Sequence, residues 1–96
     1  MEDLIYYYDL LHIEMRKYKK TRLFLNSLVS FEYIVAYLNV FRKNLFEIGS
    51  KLDKKEYTKY NRYYRKICKF VTKDYIRFYS LLDDEIKELV KNILTF

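Results

Sequence analysis

Ninety-six residues, 51% of them hydrophobic, allow one domain around one core: a second core could not close in so short a chain, and a disordered chain would not carry so much apolar surface. With no Pro and a single Gly, Gly49, the sequence lacks the punctuation that sandwiches, hairpins and Gly-rich phosphate loops need, so an all-α fold is expected. The formal net charge of +6 points to acidic partners, namely nucleic acid, an anionic membrane surface or an acidic protein.

Cys68 is the only cysteine, which excludes an internal disulfide and any multi-cysteine zinc site and fits a reducing compartment. The opening MEDLIYYYDLLHIE is acidic and interrupted by charge, unlike a signal or transit peptide. No uninterrupted apolar run approaches the roughly 18 residues of a membrane span. An intracellular chain without a span is the expectation. The absence of Gln agrees with a thermophilic source, the Lys, Asn, Ile, Tyr and Phe usage also fits an AT-rich genome, and a short chain of this kind suits a virus or plasmid.

The first segment, Glu2 to Lys20, sets Leu4, Tyr8, Leu11, Met15 and Tyr18 on one seam at alternating spacings of four and three, the signature of a packed helix. Acidic residues open it and Arg16, Lys17, Lys19 and Lys20 close it, in the sense that complements the helix dipole. Thr21 is the candidate N-cap of the next helix, although a continuous or kinked helix is also compatible with the sequence there. There the seam runs through Phe24, Leu28, Phe31, Val35, Leu38, Phe41, Leu45 and Ile48. It passes unbroken through Tyr33 to Phe41, a stretch of high β-propensity that tertiary packing is expected to override. Gly49 stands where a helix C-cap favours positive φ. Asp53 and Glu56 then have the spacing of a capping box, so a turn of about four residues should join two long antiparallel helices.

The third helix is expected to bury Tyr57, Tyr60, Tyr64, Ile67, Val71, Tyr75 and Phe78. Ser80 is a candidate cap for a fourth helix with an apolar face of Leu82, Ile86, Leu89, Ile93 and Phe96, although the seam would also allow one long bent helix. No internal repeat stands out. The fold expected is an elongated bundle of three or four helices built around a long antiparallel helical hairpin, in a homodimer that covers apolar surface at the ends of its long helices. Tyr6, Tyr33, Tyr37 and Tyr63 fall off the seams and are candidate interface residues.

The sharpest functional signal is on the third helix. At 100° per residue, Lys55, Lys59, Arg62, Lys66, Lys69, Lys73 and Arg77 fall within an arc of about 80°, opposite the apolar seam. Glu56 and Asp74 lie about 60° or more to one side, so no acidic residue enters the arc. An ordinary solvent face mixes signs, whereas seven like charges repel one another until a partner neutralises them. The stripe is about 33 Å long, near one turn of duplex DNA. Arg62 and Arg77 can grip phosphate bidentately, the lysines act as point charges, and Tyr63 and Phe70 border the stripe as candidates for base stacking or for packing at a bundle shoulder. A purely solvated face is the alternative. The group from Arg16 to Arg22 reads as a dipole-complementing helix end, or as an extension of the stripe if the first helix packs beside the third.

Catalytic chemistry is not expected. His12 has no second histidine and no local acidic or thiol partner of ligand or triad spacing, Cys68 has no local activator, and Asp83, Asp84 and Glu85 form an ordinary acidic first turn. No cofactor or metal is therefore expected. The function expected is a non-enzymatic nucleic-acid-binding protein that contacts phosphates of DNA or RNA through the stripe. A small interaction or inhibitor protein that docks on an acidic protein by the same face is the alternative.

Overall fold

The computed structural model describes residues 2–94, and Phe96, expected on the fourth helical face, lies outside them. Four α-helices follow one another: α1 (Glu2–Lys20), α2 (Phe24–Ile48), α3 (Lys54–Phe78) and α4 (Asp84–Leu94). No strand occurs among the described residues, and Tyr33 to Phe41 is helical throughout. The fold is the all-α bundle expected, with extents of 40 × 27 × 19 Å.

The core explains the arrangement. Phe31, Ile34, Val35, Leu38, Phe41 and Leu45 of α2 are fully buried, which makes α2 the central element. Ring contacts give the directions of its neighbours. Tyr7 meets Tyr37 and Tyr8 meets Phe41 while Glu14 receives a hydrogen bond from Ser30, so α1 runs antiparallel to α2. Phe41 meets Tyr60, and Phe31 meets Phe70 and Phe78, which sets α3 antiparallel to α2 as the hairpin requires. Asn39 is buried and its Nδ2 donates to the carbonyls of Val35 (3.2 Å) and Leu89 (3.1 Å), tying α4 to the far side of α2. Between α1 and α3 large rings act as spacers: Tyr8 packs on Tyr60 and Tyr63, and Tyr18 on Phe70 and Phe78.

The helix ends depart from expectation at four points. Thr21 does not cap α2; the N-cap is Leu23, extended at φ −82° and ψ 130° and without a side-chain hydrogen bond. Ser80 does not cap α4 either. It lies in a 3₁₀ turn, Tyr79–Leu81, and Asp83 Oδ1 accepts from the Ile86 amide at 2.9 Å instead, because a carboxylate one residue before the helix is the stronger partner for its free N–H groups. Gly49 has φ −54° and ψ −39°, not a positive φ. The chain tightens into a 3₁₀ turn, Gly49–Lys51, in which the Leu52 amide bonds back to the Gly49 carbonyl, so the end of α2 is satisfied without a left-handed residue. Tyr57, expected in the core, is 37% exposed at the mouth of this turn. The Asp53 half of the capping box does form, with Oδ1 accepting from the Glu56 amide at 2.8 Å.

The turn after α3 repeats the turn after α2. Ile48 and Phe78 both have φ −107°, Leu52 and Leu82 are both extended, and Asp53 and Asp83 both cap the following helix. The shared Ser-x-Leu-Asp, at 50–53 and again at 80–83, is an internal repeat of turns that helix periodicity alone does not reveal. It also decides between the two readings of α3 and α4, which are separate helices.

α2 passes the length and composition test for crossing a membrane, at mean hydropathy 1.3 in its most apolar window. Its place at the centre of the bundle accounts for part of that composition, since 44% of the window is buried.

Gly49 serves close approach, because a Cβ there would lie 3.0 Å from Tyr57 Cε2. Its backbone is helical, so Ala fits the conformation and restricts the unfolded chain, and the exposed Tyr57 ring can shift to make room. Gly49→Ala is expected to leave stability unchanged or to raise it by up to about 1 kcal/mol in denaturant unfolding. A loss above about 1 kcal/mol would mean that the Tyr57 ring cannot yield to the added methyl group.

Candidate nucleic-acid interface

α3 can carry a basic face because its opposite side is so well buried. Tyr60, Tyr64, Ile67, Val71 and Phe78 point into the core, and Asp53 starts the helix in a register that turns the stripe outward. Lys55, Lys59, Arg62, Lys66, Lys69, Lys73 and Arg77 are all exposed along one edge of the bundle. At its N-terminal end Lys54, Lys55, Lys59 and Arg62 surround an open depression of about 710 Å³ beside the helix start.

The seven are not equivalent. Arg77 Nη1 donates to Tyr18 Oη at 3.1 Å, and its guanidinium lies 4.8 Å from the Phe78 ring centre and 5.4 Å from that of Phe24. Tyr18 in turn donates a short hydrogen bond to Asp74. Arg77 thus closes a relay that locks the end of α1 onto α3. Lys59 Nζ sits 5.4 Å from the Tyr8 ring centre and 5.3 Å from that of Tyr60, a cation–π position. Lys55, Arg62, Lys66, Lys69 and Lys73 have no hydrogen bond, ion pair or ring contact within the described residues, and their charges stand free toward solvent.

Tyr63 and Phe70 do not border the stripe as open platforms. Tyr63 stacks on His12 with ring centres 4.4 Å apart and planes 3° apart, and packs edge-on against Tyr8 and Phe41. Phe70 is enclosed by Tyr18 and Phe31. Both belong to the α1–α3 shoulder, where burying a ring stabilises more than exposing it to water. His12 Nδ1 lies 3.0 Å from the Tyr8 carbonyl and donates to it. The spacing of residues gives no sign of the His12–Tyr63 stack or of the Tyr18–Asp74–Arg77 relay, in which Tyr18 is 56 and 59 residues from its partners in the chain.

The basic group at the end of α1 is divided by the fold. His12, Arg16 and Lys19, spaced four and three, share the edge of α1 that His12 anchors against α3. Arg16 and Lys19 are exposed on α1. Lys17 and Lys20 instead line a groove of about 550 Å³ between α1 and α2, with Glu14, Ser30 and Tyr33. Among the described residues no group of three His, Cys, Asp or Glu side chains is placed to hold a metal ion. Cys68 is half-buried, and burial raises its thiol pKa above the usual value, the reverse of what a nucleophile needs.

Comparison with protein-family models, curated proteins and solved structures gives no match, so the site is read from its own chemistry.

Burial pushes Tyr63 up to about 12, and burial together with the Asp74 carboxylate pushes Tyr18 up to about 12. Tyr64 is raised as well, by burial first. The folded state therefore holds these phenol protons in a range where the unfolded chain, at about 10, releases them. The stabilisation is fully present below pH 10 and falls as pH rises toward 12, by at most about 1.4 kcal/mol per pH unit for each tyrosine. Alkaline titration followed by phenolate absorbance and helicity should show late-titrating tyrosines ionising together with loss of helix. Tyr18→Phe should make that loss shallower while lowering stability at neutral pH.

Proposed function

We propose that this chain is a non-enzymatic nucleic-acid-binding protein that neutralises backbone phosphates with the outward edge of α3. The observation that carries the reading is the row Lys55, Arg62, Lys66, Lys69 and Lys73, exposed, free of intramolecular partners among the described residues, and with no acidic residue in the same arc. Their mutual repulsion costs stability in the free protein and is relieved by a polyanion. A row along one helix matches the regular charge of a nucleic-acid backbone, and each phosphate neutralised releases condensed counterion.

The enclosure of Tyr63 and Phe70 refines the reading. A protein that grips single strands presents rings to unpaired bases, and here the rings nearest the stripe are packed against α1 and α2. Duplex binding through phosphates follows, with little sequence preference, since the arc lacks the Asn and Gln side chains that read base edges. Arg16 and Lys19 are further exposed cations on the neighbouring helix.

Duplex binding measured across a salt series tests this. With five free cations engaged, log K should fall against log salt with a slope of about −4 to −5. Reversal of Arg62, Lys66, Lys69 and Lys73 to Glu should abolish binding while helicity is kept, because none of the four contacts the core. No binding at low salt, or binding unchanged by the reversal, would sink the proposal. Nuclease-resistant recovery of one acidic protein through this face would assign it to a protein partner instead.

A further inference from the structure

The side of α2 turned away from α3 is apolar and only partly covered. Leu25, Val29, Tyr33, Ala36 and Val40 recur at spacings of four, four, three and four, which places them within an arc of about 80° and along about 22 Å of helix. Leu25 is 69% exposed, and Val29 and Tyr33 are each 50% exposed. This ridge is bounded by α1, which meets α2 at Ser30 and Tyr37, and by α4, which meets it at Asn39. Its spacing is the kind that suits the seam of a two-helix contact, on the outside of the helix that already forms the core. Within one chain Leu25, Val29 and Tyr33 are exposed, and Ala36 and Val40 are half-buried.

The borders of the ridge differ in sign. On the α1 side, Lys17 and Lys20 line the groove that also contains Val29 and Tyr33. On the α4 side, Glu32 lines a smaller cavity of about 290 Å³ with Val29, Tyr33, Ala36 and Ile86. Asp83 is close enough to Glu32 to act on it electrostatically. Both borders stand at the same level of the ridge, and neither lysine nor Glu32 has an ion-pair partner among the described residues.

We propose that a second copy of this chain covers the ridge, the two α2 helices running parallel about a two-fold axis so that Lys17 and Lys20 of each copy face Glu32 and Asp83 of the other. The orientation follows from charge. A two-fold axis parallel to α2 lays the basic border of one copy over the acidic border of its partner, whereas an axis across α2 sets like on like. The Val29 and Tyr33 side chains are the knobs, and the two flanking grooves receive them. This reading stands apart from the nucleic-acid proposal, because the ridge and the α3 stripe are on opposite sides of the bundle.

Sedimentation of the full chain at micromolar concentration should give a dimer. Val29→Lys with Tyr33→Lys should weaken association at least tenfold with helicity unchanged, as both side chains are half-exposed within one chain. Orientation is tested by a charge swap. Lys17→Glu with Lys20→Glu, and separately Glu32→Lys, should each weaken self-association, while an equimolar mixture of the two variants should recover it as a heterodimer. A monomeric parent, a dimer indifferent to the Val29 and Tyr33 changes, or no recovery in the mixture overturns the proposal. So does a parent that stays monomeric and adheres to anionic lipid vesicles through the same ridge.

Discussion

A helix of 25 residues that is apolar around most of its circumference cannot be satisfied by one neighbour. α2 is such a helix, and the rest of the chain is arranged by the need to cover it. α1 takes one flank, where the small side chains of Ser27 and Ser30 lie buried and Ser30 donates to the buried Glu14 carboxylate at 2.9 Å. α3 takes the side of Phe31 and Phe41, and α4 takes the flank of Asn39. With its own apolar seam consumed by α2, α3 has one surface left for solvent, and that is where its lysines and arginines lie. The basic face is a consequence of the central helix as much as of the α3 sequence.

Much of this architecture was legible in the sequence because it rests on periodicity. Seams at spacings of three and four located α1, α2 and α3 and most of their buried residues, and Asp53 marked the start of α3. What escaped depends on contacts remote in sequence or on the choice between local solutions of similar energy. Gly49 has two ways to end a helix, a left-handed residue or a 3₁₀ turn, and composition does not choose between them. Asp83 outcompeted Ser80 as a cap, a contest decided by the turn that precedes it.

The candidate site divides in the same way. That the seven basic residues lie on one helical edge follows from their spacing, and their exposure follows from the opposite seam. Which of them is occupied within the protein does not follow. Arg77 is engaged because Tyr18, Asp74, Phe24 and Phe78 converge on it from three helices. Tyr63 and Phe70 looked like rims of the stripe from their angular positions, yet the α1 rings enclose them. A helical wheel gives the direction of a side chain but not the size of the neighbour that meets it, and rings as large as those of Tyr8 and Tyr18 extend the buried zone past the arc an aliphatic seam would define.

The two exposed faces have linked consequences. The stripe points away from α2 on one side and the apolar ridge points away from α3 on the other, so a two-fold contact through the ridge would carry the two stripes to opposite ends of the assembly. They could not then lie side by side on one straight duplex segment. Each would engage its own stretch of backbone, and the pair would act by bridging, with the second engagement governed by the local concentration of duplex and not by added contacts within one site. A dimer of this geometry would gain little affinity for a short isolated duplex over its monomer, and would gain much more where two segments are held close together. Under the proposed function, the position of the ridge, set by which side of α2 the other three helices leave exposed, would therefore determine what kind of nucleic-acid arrangement the stripe could serve.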